Sequence, residues 1–218
     1  MCANPSTLHY GSCGNSIYCS KECQKSDWPK HKLLCKQMAD FPDSVRPASV
    51  SPDSYYRRAI YFDPSQVKPS FVWLEVRKQN VGGAPYWIPF LDHLMSRNKT
   101  NRVIEYIGKN LRTGRNFNKV IQVWYRDHYF NGSSVRNQGI MRAIDLGLRD
   151  VAKEWRGPMV FRGLEEYESR PGVQGVDMNA SDMRHNVGFL HSKARRATPI
   201  GYKPPPGWTY INLDDMGD

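Results

Sequence analysis

Side chains able to bind a metal cluster in residues 18–35, "YCSKECQKSDWPKHKLLC", as the pairs Cys19-x3-Cys23 and His31-x3-Cys35. Thiolate and imidazole are the usual donors to structural zinc, which takes four ligands tetrahedrally. Two ligands four residues apart on a helix project to one side, so each pair supplies half a site. All five cysteines, Cys2, Cys13, Cys19, Cys23 and Cys35, fall in the first 35 positions. The odd count, with no apolar leader before Cys2, argues against a secreted disulfide framework and for an intracellular metal-binding head, in the nucleus or the cytoplasm.

The elements that must position these ligands follow from their neighbours. Ser20 is expected to cap a first short helix, and Ser26 or Asp27, with Pro29 in the first turn, to start a second. Trp28 and Leu34 are expected to form the small apolar core that a unit of about 35 residues needs.

The segment then resembles the second half of a MYND-type zinc finger, whose pattern runs Tyr-Cys-Ser-x-x-Cys-Gln, then Trp, His and a final Cys. The resemblance implies two zinc ions held in interleaved order. It places Cys2, Cys19 and Cys23 at the first ion and Cys13, His31 and Cys35 at the second. The family's first cysteine would precede Met1, and Tyr10 stands where it has another, so each site is one ligand short. A phenol ionises only near pH 10 and is a poor ligand. The missing donors are expected from an upstream start, from His9, or from water. The resemblance also implies a protein-interaction module that docks short proline-containing peptides, with Gln24 and Trp28 lining its groove.

Beyond the finger, the expected fold is α+β. Residues 1–36 are read as the zinc-stabilised helical finger, 37–54 as a linker carrying Pro42, Pro47 and Pro52, 55–203 as an α+β domain, and 204–218 as a tail opening on "PPPG". "FVWLEVR" (71–77), "RVIEYI" (102–107), "KVIQVWYR" (119–126) and "MVFRGL" (159–164) read as strands. Within the first of them, Val72, Leu74 and Val76 face one way, Phe71 and Trp73 the other. Helices are expected over 138–155, ending at Gly157-Pro158, and over 181–194 after an Asn179 or Ser181 cap, with Met183, Val187, Leu190 and Ala194 on one stripe. The run from "RRAIYF" to "WRGP" resembles the region that follows the finger in a group of fungal MYND proteins, which implies no chemistry.

The net charge of +10 at pH 7 could attract nucleic acid, anionic lipid or an acidic partner, but the basic residues are dispersed. No apolar run approaches the length that spans a membrane. Many MYND fingers accompany a methyltransferase domain, yet no signature of one is found, and nucleophile-elbow and nucleotide-binding glycine motifs are absent. An enzyme on residues 55–218, with Arg126, Asp127, His128 or His185 as candidates, and nucleic-acid binding through a basic surface stand as the alternatives.

Overall fold

Runs of β-branched and aromatic residues build an antiparallel sheet whose two faces are both covered. The computed structural model describes residues 8–9, 16–95, 102–109, 116–126, 133–145, 155–166 and 171–194. A two-stranded ladder, β1 (Leu8–His9) and β2 (Ile17–Tyr18), precedes helix α1 (Lys21–His31). The main sheet contains β3 (Ser54–Phe62), β4 (Ser70–Val81), β5 (Ala84–Pro89), β6 (Arg102–Lys109), β7 (Asn116–Arg126), β8 (Met159–Leu164) and β9 (Gly175–Val176). Helices α2 (Gln138–Asp145) and α3 (Met183–Ala194), with short 3₁₀ segments at Cys35–Asp40, Asp43–Val45 and Ala180–Asp182, complete the described elements. The fold is mixed and dominated by the sheet, ordered β5-β4-β3-β8-β7-β6 with β9 beside β8, curled into a half-barrel. Arg162 on β8 shows the curl, since its guanidinium donates to the Trp87 carbonyl of β5, at 3.2 Å.

Four of these strands coincide with the runs expected from composition. β3 and β5 were not anticipated from periodicity. Tyr and Arg alternate imperfectly along β3, and β5 carries Pro85 and Pro89, which an edge strand tolerates because it needs fewer ladder bonds. Its hairpin closes on Gly82 and Gly83, both at positive φ (59° and 82°), as a tight two-residue turn demands. At Gly163 a Cβ would stand 2.8 Å from the Val176 carbonyl oxygen, so β9 can lie against β8 only because that position lacks a side chain.

One sheet face packs Ile60, Phe62, Phe71, Ile121, Val123 and Phe161 against Ile140 and Ile144 of α2 and Met183, Val187 and Leu190 of α3. Leu74, Trp124 and Val160 pack with Leu91 and Met95 on the other. Asn179 caps the turn Ala180–Asp182 that leads into α3, in a reciprocal capping box with Asp182. The described part of the first expected helix ends at Asp145, and residues 146–154 lie outside the described set. Trp155 does not continue it. Its carbonyl accepts from Asn137 N–H (2.8 Å) in an extended segment, and its ring meets Tyr125 edge-on.

The segment expected as a linker is fastened to the sheet. Gln37 donates to the Pro69 carbonyl (3.0 Å) and accepts from Phe71 N–H (3.1 Å). Phe41 packs on Phe71 and Trp73. Arg46 donates to both carboxylate oxygens of Asp177 (3.0 and 2.6 Å) and lies 4.7 Å above the Trp73 ring. Low apolar content hid this attachment, because guanidinium and amide groups make it.

Candidate metal centre

Cys19 precedes α1 and Cys23 lies in its first turn. The backbone at Ser20 is extended (φ −159°, ψ 166°), and its hydroxyl accepts from Cys23 N–H at 3.2 Å, the expected cap. That geometry folds the chain back on the helix start, so that the Cys19 thiol donates to the Cys23 sulfur at 3.2 Å. Two thiolates on one tetrahedral zinc are separated by about 3.8 Å at Zn–S bonds of about 2.3 Å, so a small side-chain rotation admits the ion. The pair converges at a helix end and not, as expected, along a helix face.

A single helix replaces the two expected. It runs through Pro29, whose missing N–H costs one bond near the C-terminal end, where His31 is the final residue. Cys35 therefore does not follow His31 on the same helix. It opens a 3₁₀ segment (Cys35–Asp40) and is 6% exposed. The expected core also changes. Leu34 is fully buried but joins Leu33 and Met38 in the core shared with the sheet, whereas Trp28 is 40% exposed.

The buried residues of α1 are polar. Asp27 and His31 are its two, on the same stripe as Cys23 at intervals of four. His31 is 1% exposed, with Nδ1 lying 3.2 Å from the Ser16 hydroxyl, the kind of partner that orients a metal-bound imidazole through its other nitrogen. Burial, partly opposed by Asp27, lowers its pKa and keeps the ring in the neutral form a metal requires. Asp27 accepts from the Tyr18 hydroxyl (2.7 Å) and faces Arg184 of α3 at 3.7 Å. Burial and the Asp27 carboxylate hold the Tyr18 phenol well above its ordinary pKa. Asp27 was anticipated only as a helix start; its four-residue spacing from Cys23 and His31 was the available signal.

Cys2, Cys13 and Tyr10 lie outside the described residues, and His9 is described only as the β1 partner of Ile17. Among the described residues no group of three His, Cys, Asp or Glu side chains gathers to hold an ion. The donors that are described, the converging Cys19 and Cys23 thiols, the buried Cys35 thiol and the oriented His31 imidazole, are of the types that bind structural zinc. His185 is not part of it. Its ring packs at a tilt of 41° against Phe117 with centroids 3.9 Å apart, and burial, then Arg184 and Lys119, pull its pKa down to about 3. Asp127 and His128, considered with it, lie outside the described residues. Among the described residues no helix is long and apolar enough to cross a membrane.

The family model of the MYND finger matches residues 1–35. The chain thus carries a MYND-type zinc finger, a metal-binding module whose usual role is protein interaction. It is similar to N-lysine methyltransferase SMYD2 of Homo sapiens and of Sus scrofa, at 47% identity over 38 residues in each case. The SMYD2-B enzyme of Danio rerio is 45% identical over 38 residues. These matches cover 17% of this chain and 9% of each relative, so the chain spans less than a tenth of the length of the curated relatives it matches. No solved structure matches the chain at a significant level.

Proposed function

We propose that the finger docks short proline-containing peptides of partner proteins on the α1 surface bearing Gln24 and Trp28, and that the sheet domain serves as its rigid mount. The observation that carries this reading is the exposure of Trp28, 40%, on a helix whose neighbouring stripe is buried against the rest of the molecule. An exposed indole one turn from a glutamine amide offers an apolar platform beside a donor and acceptor, which suits an extended proline-rich ligand that loses little entropy on docking. Ligation by Cys2, Cys19 and Cys23 at one ion and by Cys13, His31 and Cys35 at another, up to two zinc ions in all, would hold the platform in place. The reading goes with an intracellular setting, nuclear or cytoplasmic, where thiol ligands stay reduced.

The test is titration of a labelled synthetic peptide carrying Pro-x-Leu-x-Pro against the wild type, Gln24→Ala and Trp28→Ala, with zinc per chain measured by elemental analysis. Peptide binding lost in the variants at unchanged zinc content is the expected result. Unchanged binding in both variants removes the groove assignment, and a chain without zinc removes the reading as a whole.

A further inference from the structure

We propose that the docking surface has an occupant within the same chain: residues 203–218, "KPPPGWTYINLDDMGD", which would cover Gln24 and Trp28 and compete there with peptides of other proteins. This rests on the peptide-docking reading above and adds its regulation.

Charge makes the first argument. Around Trp28 the helix presents Lys21 and Lys25 on its exposed side, with Lys32 and Lys36 exposed just beyond its end. Residues 203–218 carry three acidic side chains, Asp214, Asp215 and Asp218, against one basic one, Lys203. In a chain of net charge +10 this acidic stretch complements the lysine-bordered indole. The three consecutive prolines, Pro204, Pro205 and Pro206, followed by Gly207 and Trp208, supply a stiff extended segment and an aromatic side chain for the platform.

Reach makes the second. The first turn of α3 lies beside α1, where Arg184 Nε stands 3.7 Å from Asp27 Oδ1 and the guanidinium lies 5.6 Å from the Tyr18 ring centre. At about 1.5 Å per residue, the part of α3 from Arg184 to Ala194 carries the chain about 15 Å from that contact. Residues 195–203 can extend about 30 Å at their longest, enough to return to Trp28, the neighbour of Asp27. The proline-containing stretch from Pro42 to Pro52 is engaged elsewhere. Arg46, between Pro42 and Pro47, is bound to Asp177 and to the Tyr56 carbonyl.

The experiment compares the full-length wild type with a full-length variant in which Pro204, Pro205 and Pro206 are all serine, each titrated with the labelled Pro-x-Leu-x-Pro peptide. A tail tethered at millimolar effective concentration is expected to weaken wild-type binding by about tenfold relative to the variant. Asp214→Asn with Asp215→Asn is expected to give a smaller gain that disappears in high salt. Equal affinity of the wild type and the serine variant overturns the proposal and leaves peptide docking intact. Should neither chain bind that peptide, the docking reading fails, and a labelled peptide of residues 203–218 added to the serine variant decides the tail separately. Saturable binding that Trp28→Ala abolishes supports the proposal, and no binding overturns it.

Discussion

Helix α1 and the β7–β8 pair bury opposite kinds of side chain. α1 turns Asp27 and His31 inward, held by Tyr18, Arg184 and Ser16. β8 is buried at all six positions, and β7 is buried from Val120 to Tyr125, largely with aliphatic and aromatic groups. Directional bonds therefore hold the finger helix in place, while area removed from water holds the sheet. The polar side chains buried within the strands are bonded, as when Gln122 accepts from both Trp124 Nε1 and Arg162 Nε. The two regions meet through Leu33, Leu34 and Met38, which leave the finger and enter the sheet's core. The lesson is that one chain can place a module of specific contacts on a mount of nonspecific ones, and each should fail under a different stress.

Removing the metal should produce the largest separation. Structural zinc supplies on the order of 10 kcal/mol to a small finger, so a strong chelator is expected to abolish amide protection across residues 19–31. Protection of β7 and β8, followed by hydrogen exchange, is expected to persist. Simultaneous loss in both regions would show that they fold as one unit.

Truncating the sheet's core should do the reverse. Phe161 is fully buried, edge-on to both Phe62 and Phe189, and Phe161→Ala is expected to cost about 3–5 kcal/mol in denaturant unfolding. Zinc content at native conditions should stay at the wild-type value.

Acid offers a milder probe of the attachment between residues 37–54 and the sheet. Burial would raise the Asp177 pKa, but hydrogen bonds from Arg46 and from the Arg58 backbone N–H outweigh it and hold the carboxyl below its ordinary value. The folded pKa is thus lower than the unfolded one. The stabilisation is complete above the unfolded value of about 3.9 and is lost as pH falls through the folded one. Asp177→Asn is expected to flatten that acid limb of the stability curve and to leave its neutral region parallel to the wild type. An unchanged acid limb would exclude this carboxylate as its source.

The smallest stability effect should come from the residue with the largest effect on docking. Trp28 is exposed, so Trp28→Ala is expected to change unfolding free energy by no more than about 0.5 kcal/mol. A larger loss would return the indole to the core in which the sequence first placed it.

Much of the sheet is legible in linear order. "FVWLEVR", "KVIQVWYR" and "MVFRGL" combine β-branched and aromatic residues in runs of strand length, and all three lie in strands. β5 escapes that test because its partner along β4 and its glycine turn, not its own composition, recruit it. In the finger, Ser20 as the cap and Cys19 with Cys23 as a converging pair follow from local spacing. The Arg184 partner of Asp27 does not, since it comes from α3, far along the chain.

By itself the sequence determined the Cys19–Cys23 pair, the strand runs and the helix caps, because those depend on side-chain chemistry within one or two turns of backbone. Tertiary structure decided the rest. It kept one helix across Pro29, since the missing bond falls near an end where His31 can still be buried. It fixed residues 37–54 to the sheet through Arg46 and Asp177, 131 positions apart. It also left Trp28 on the surface while burying Leu34, because the inward side of α1 was already taken by groups that need hydrogen-bond partners and not by apolar ones.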